Sequence, residues 1–424
     1  MNPGTLRATV VIENACGEVV AQGEGSGEAF SPRQKVVRLE QNMAHDLDQL
    51  MYTLEPEGVG GVRVWTSFAP SLVGARVDVS LGGETVATTS DPTATLSVSV
   101  PLTGEFHRLD FRLVDAENNT IDSATSPLFA VADLSQNPAP SPAWNRRPHL
   151  VVGMAENYPA NVLAPYVKSW AVHASGSSQM VLFMSFLTAG IAQLLRNSGV
   201  EVVLFTPVER NVDIGVHTKE HPRHKQAWRH VMYGWIAGHR EGGRVFATDT
   251  KDVIFQADPF APDILSLAPT SDLWVFQDGL DLLEFSTFNN DWVRVLGLDV
   301  FDRIKHRPVL NSGVIYTTVQ GLQDISAAME ISFTKASVID QGHFQVQVWD
   351  GYLDHLNATV FYYPDGPAAN LGTIPPEQVN MSHTDDGGVV VTNRQGRPIP
   401  AIHQWNAQKF ALFHDAIIDY WTTN

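Results

Sequence analysis

This chain has little cysteine, little basic surface and no long hydrophobic run. Cys16 is its only cysteine, so no intrachain disulfide forms and the fold does not rest on an oxidising compartment. Lys and Arg number 28 against 46 Asp and Glu, a formal net charge of -18 with His neutral. Such a balance is poorly suited to neutralising a nucleic-acid backbone or an anionic bilayer. It does leave room for a divalent cation to mediate contact with a phosphate. The longest apolar runs, such as Val181 to Met184, are far too short to span a membrane. The opening MNPGTLRATVVIEN lacks the charged and continuous apolar regions of a signal peptide. The expectation is a soluble, cytoplasmic protein with no membrane span and no nucleic-acid partner. The sequons at Asn118, Asn357 and Asn380 then carry little weight.

What is present divides into two grammars over 424 residues, enough for two or three domains. Up to about Asp133 the chain reads as strands and turns. Leu6 to Glu13 is rich in β-branched residues, and Ala75 to Leu81 alternates apolar and polar residues. Gly82-Gly83 offers a hairpin turn, after which Thr85 to Thr88 returns. Thr95 to Val100 and Leu109 to Val114 alternate again, and Glu117-Asn118-Asn119 marks another turn. Short strands at regular spacing predict a β-sandwich-like domain over 1–135. Gln41 to Leu54 fits either a helix or a long loop. The proline-rich stretch 136–148 reads as a linker.

From 149 to 424 strands alternate with helices. Leu150 to Gly153, Met180 to Met184, Glu201 to Phe205 and Arg244 to Ala247 read as buried strands. Asn161 to Ala174, Leu187 to Asn197 and Lys225 to His239 read as helices between them. The alternation predicts an open, mostly parallel α/β sheet.

One strand of that sheet ends in carboxylates. Arg244 to Asp252 reads RVFATDTKD, so an apolar strand runs directly into Asp249 and Asp252. Ligands of open α/β sheets bind beyond the carboxyl ends of the strands. Two carboxylates there repel each other unless a cation joins them. Mn²⁺ or Mg²⁺ suits oxygen ligands and binds phosphate at the same time. Alone, the pair is better read as a helix cap or a surface turn, since acidic pairs are common and a bare D-x-x-D carries almost no information.

The surrounding residues make a resemblance specific. TDTKDVIFQADPF resembles the D-x-D-type signature of nucleotide-sugar glycosyltransferases with the GT-A fold, a Rossmann-like α/β fold. It is closest to the glycogenin-like and galactosyltransferase-like branches, with D-x-[RK]-D-V-x-F-Q-x-D-P-F. LNSGVI (Leu310 to Ile315), Asp340-Gln341 and IHQWN (Ile402 to Asn406) follow in that family's order. The resemblance covers roughly residues 148–421 and implies a hexosyltransferase. A nucleotide-sugar donor, presumed UDP-linked, would give its sugar to a hydroxyl of a glycan or protein acceptor. Asp249, Asp252 and His403 would be the metal ligands, with Asp252 the better match and Asp249 reaching the ribose or the metal. Ala155, Asn157 and Tyr158 in the loop MAENY would hold the nucleotide, Tyr158 stacking on the base. Arg229 would meet the diphosphate, and Asn311, Ser312 and Gly313 would lie near the sugar. Asp340 would be a general base or, as the plain alternative, a helix cap. Gln341 and Asp278 would face the sugar. The sandwich would bind acceptor or mediate assembly.

The sequence departs from the family in three places. Its carboxylates are three apart, Asn406 and Ala407 replace Asp and Arg, and H-x-x-G-x-x-K-P-W is absent, leaving the diphosphate lysine unassigned. The alternative is therefore a non-catalytic carbohydrate- or nucleotide-sugar-binding protein with a degenerate transferase domain. A nucleotidyltransferase would open with a Gly-rich basic loop where MAENY stands. His217, His221, His224 and His230 offer a rival zinc cluster, but Pro222 interrupts helical pairing and the segment reads rather as a flexible loop near the donor site.

Overall fold

The computed structural model describes residues 7–13, 19–26, 50–57, 60–68, 72–100, 105–132, 139–156, 158–206, 224–333, 339–383, 389–406 and 417. Two antiparallel four-stranded sheets lie in the first part. One runs Leu187–Thr188, Met51–Pro56, Gly61–Ser67, Thr93–Ser99; the other runs Glu84–Thr89, Arg76–Leu81, Leu109–Val114, Thr120–Thr125. Val62 and Val64 from the first and Leu109, Phe111 and Leu113 from the second are buried in one core, as period-two patterning requires. Tyr52 stacks on Phe111 across it, with ring centroids 4.1 Å apart. The expected hairpin is present: Gly82 and Gly83 both have positive φ, 60° and 88°, which a residue with a Cβ resists. Of the segment left open between helix and loop, Met51–Pro56 is a strand and 41–49 lie outside the described residues.

An eleven-stranded sheet dominates the rest. Phe129–Val131, Glu201–Leu204, Ser178–Met184, His149–Met154 and Arg244–Thr248 are parallel neighbours. Their continuous apolar sequence fits burial on both faces. The parallel run then stops. Pro308–Thr318 lies antiparallel between Arg244–Thr248 and Leu273–Leu282. Ala368–Asn370 and Ala401–His403 continue the sheet, and Val253–Phe255 closes it. Thr359–Phe361 adds to Leu273–Leu282 off this path. The sheet is thus mostly parallel, as expected, with Pro308–Thr318 and Val253–Phe255 running against the other strands.

The segment before the proline-rich stretch takes part in this sheet through Phe129–Val131. Within 139–148, Trp144 is packed as well. It is 1% exposed, lies edge-on to Trp235 and stacks on His239. Arg240 donates to the carbonyls of Trp144, Arg147 and Pro148.

Candidate functional site

The reversal of Pro308–Thr318 builds the site. Thr248 pairs with Val314, so Asn311 to Gly313 fall opposite the end of the strand that carries Asp249. The Asp249 amide donates to the Gly313 carbonyl at 2.6 Å. A second register brings the far end of the chain back. Val253 pairs with His403, and the Gln404 amide donates to the Asp252 carbonyl at 2.8 Å. Asn370 is the parallel neighbour of His403, and Asp278 that of Asn370. Gln404 adopts a left-handed φ of 59°, and its side-chain oxygen accepts from the Gly372 amide, fixing the turn after His403.

Asp249, Asp252 and His403 meet there, each offering a ligand atom within 4.8 Å of the others. His403 Nε2 lies 3.4 Å from Asp249 Oδ2 and 3.5 Å from Asp252 Oδ1. The imidazole is 2% exposed, while Asp249 and Asp252 keep 39% and 24% of their side-chain exposure. Asn370 sets the tautomer. Its Nδ2 donates to the Gln277 carbonyl, which turns its Oδ1 toward His403 Nδ1 at 2.8 Å. Nδ1 therefore carries the hydrogen, and Nε2 faces two carboxylates. A bare lone pair there is repelled by both, so the geometry requires a proton or a cation between them. Without a metal the proton does this. Burial alone would lower the His403 pKa, but Asp252 first and Asp249 with it raise it to about 10. Desolvation would raise Asp249; Arg229 and His403 reverse that and hold it down at about 2.

Arg229 projects from the helix His224–Gly238 and ties two carboxylates together. One terminal nitrogen meets Asp249 Oδ1 and the other meets Asp340 Oδ2. The second also donates to the Ser312 carbonyl and hydroxyl, at 3.1 and 3.2 Å. Burial would lower its pKa, but Asp340 first and then Asp249 more than reverse that and raise it. Asp340 opens the helix Asp340–Trp349, where a negative charge suits the exposed amides. Ile339, not Asp340, occupies the cap position, so the plain alternative of a helix cap does not hold. Burial would raise the Asp340 pKa, but Arg229 and His230 keep it below the usual carboxylate range. A carboxylate held that way is a weak base.

Gln341 has both ends engaged. Its oxygen accepts from the Ser312 amide at 3.3 Å, and its nitrogen donates to Asp278 Oδ2 at 2.9 Å and Asn289 Oδ1 at 2.8 Å. Gln345 shares Asn289 from one helical turn on. Asp278 is 7% exposed and stands behind Gln341, off the cleft wall.

These elements enclose a cleft of about 440 Å³, within the range of small-molecule sites. Tyr158, Arg229, Asp249, Asp252, Asn311, Ser312, Gly313, Asp340, Gln341 and His403 all line it. Ala155 does not: it is 1% exposed, packed in the core, with its amide on the Phe183 carbonyl. Asn157 lies outside the described residues. Tyr158 is partly buried; burial first, then Asp249 and Asp252, raises its pKa. Lys251, Trp292 and Glu156 also line the cleft, and sequence reasoning did not single them out. Lys251 was inside the motif and legible there. Asn370 and Asn289 had no sequence signal, since only strand and helix pairing brings them near. Of the rival zinc cluster, His217 and His221 lie outside the described residues. His230 is fully buried beside Asp340, 3.7 Å from Oδ2. Burial lowers its pKa. Among the described residues, Asp249, Asp252 and His403 form the one group placed to share an ion.

No protein-family profile matches the chain, and no curated protein matches it. Among solved structures it is similar to the apo structure of WbbM, a bifunctional glycosyltransferase, at 14% identity with a TM-score of 0.39. The alignment covers 66% of this chain and 51% of that one, so the chain spans about half of that protein's length. So faint a likeness decides neither fold nor chemistry, which rest on the residues.

Proposed function

We propose that the chain is a metal-dependent glycosyltransferase of the GT-A type, moving a sugar from a nucleotide-sugar donor, taken as UDP-linked, to an acceptor hydroxyl of a glycan or protein. One observation carries the reading. Asp249 with Asp252, Asn311 to Gly313, Asp340-Gln341 and His403 come from distant stretches of chain and line a single cleft at strand ends. Two carboxylates and an imidazole whose Nε2 faces them suit Mn²⁺ or Mg²⁺. A bound cation would supply Lewis-acid neutralisation of the leaving diphosphate.

The chain's own residues then have distinct tasks. Asn370 holds the His403 ring in its tautomer. Arg229 holds one oxygen of Asp249 and leaves the other facing His403. Asp340 anchors Arg229 and so acts as a positioning residue rather than a base. Gln341 ties the Ser312 backbone to Asp278 and Asn289, which shapes the floor where the sugar would lie. Tyr158 offers a partly buried ring at the wall for stacking on the base.

Hydrolysis of UDP-sugars with and without Mn²⁺ tests this, together with UDP binding by calorimetry. Turnover that needs Mn²⁺ and disappears in Asp252→Ala, with the fold intact, is expected. Absence of both turnover and UDP binding would sink it. Tight UDP binding without turnover would select the non-catalytic reading.

A further inference from the structure

The cleft has a charge deficit on the positive side. Asp249, Asp252 and Asp340 face it, and Arg229 is the expected partner for a diphosphate. Yet Arg229 keeps only 9% of its side-chain exposure, and both terminal nitrogens are taken by Asp249, Asp340 and Ser312. A divalent ion on Asp249 and Asp252 cancels those two carboxylates alone. A donor diphosphate then brings negative charge that no spoken-for group can meet.

Among the described residues lining the cleft there is one other Lys or Arg, Lys251. It sits between the two metal-binding candidates. The backbone bend there is pinned by Thr250, which is 2% exposed and donates its hydroxyl to the Met154 carbonyl at 2.9 Å. That anchoring turns Thr250 into the protein, while Lys251 is exposed. No described side chain pairs with its ammonium. An unpaired ammonium on a flexible stem, beside a metal site, suits a phosphate as a point charge.

We propose that Lys251 is the cation that meets the donor's diphosphate and stays with it as it leaves. This rests on the transferase reading above. When the bond between the sugar's anomeric carbon and the diphosphate oxygen breaks, its electron pair stays on that oxygen. The acceptor oxygen bonds the anomeric carbon and its proton passes to water, so the diphosphate gains one further negative charge. Lys251 therefore contributes more to the departing group than to the intact donor.

The test compares the full chain with Lys251→Gln and Lys251→Arg. Mn²⁺ binding is measured alone, then UDP and uridine binding at saturating Mn²⁺. Because Lys251 is exposed, neither change should affect folding, and a melting curve checks that. Lys251→Gln should weaken UDP by roughly tenfold or more, the range of a charge-assisted hydrogen bond. Its affinities for Mn²⁺ and uridine should be unchanged, and Lys251→Arg should recover most of the UDP affinity. Equal UDP affinity in wild type and Lys251→Gln would overturn the assignment and leave the transferase reading standing. A parallel loss of Mn²⁺ affinity would also overturn it, placing the lysine in the metal site instead. Failure of the wild type to bind UDP would remove the transferase reading and Lys251 with it.

Discussion

At the scale of single residues, the grouping of Asp249, Asp252 and His403 depends on a side chain that is missing. A Cβ on Gly313 would come within 2.5 Å of both Asp249 Oδ2 and His403 Cε1. Both are held from behind, Asp249 by Arg229 and His403 by Asn370, so neither can retreat freely. Gly313→Ala should lower Mn²⁺ affinity by about tenfold or more, read from a metal titration, while uridine binding changes little. Asn370→Ala should cost roughly 10- to 100-fold in Mn²⁺ affinity by freeing the imidazole. Equal affinity in that variant would show that the tautomer lock is unimportant. The raised pKa of His403 gives a third expectation. Its folded value, about 10, lies above the unfolded value of roughly 6.5. In the metal-free chain the stabilisation from this proton is therefore complete below about pH 6.5 and fades as pH rises through 10. Between those limits a metal must displace the proton. Calorimetry of Mn²⁺ binding at pH 7.5 in buffers of different ionisation enthalpy should show release of about one proton. The glycine and the two aspartates were visible in the motifs, whereas Asn370 was not, because nothing local marks a residue whose partner is 33 positions away.

At the scale of elements, the helix His224–Gly238 and the helix Asp340–Trp349 are joined across the sheet end by the buried pair Arg229–Asp340. Their side chains are 9% and 3% exposed. Breaking such a pair leaves one charge buried without compensation, at a cost of about 3–5 kcal/mol. Arg229→Met should show a loss of that order in chemical denaturation. Arg229→Met combined with Asp340→Leu should lose less than the two single changes summed, since no lone charge remains. Additive losses would mean the pair is not coupled. Element identity in this half was largely legible: periodicity placed helices near 161–174, 187–197 and 225–239, and the structure has them at Ala160–His173, Ala189–Asn197 and His224–Gly238. Strand direction was not. A run such as LNSGVI is equally apolar whichever way it points, and only its packing between Arg244–Thr248 and Leu273–Leu282 decides that it runs antiparallel.

At the scale of the molecule, one core passes from the sandwich into the large sheet. Residues of both share it, Phe111 and Phe129 with Val202 and Leu182. Phe129–Val131 extends the sheet beside Glu201–Leu204, and Leu187–Thr188 extends the sandwich beside Met51–Pro56. A truncated chain beginning at residue 139 should then be less stable than one beginning at 127. Loss of buried Phe129 alone amounts to about 1.5–3 kcal/mol, and the uncovered strand edge invites association. Denaturation midpoints and light scattering compare the two; equal midpoints would show that the edge strand is dispensable. The sequence by itself determined the period of each segment, the placement of carboxylates just past an apolar strand and the order of the four motifs. These are local properties, set by backbone geometry and neighbouring residues. Tertiary structure decided which of those residues meet. Strand reversal and register brought Gly313 to Asp249, His403 to Asp252 and Asn370 behind the imidazole. Burial decided that Arg229 is occupied and Lys251 is not. Such outcomes depend on distance and solvent exclusion across hundreds of residues, which no stretch of sequence carries alone.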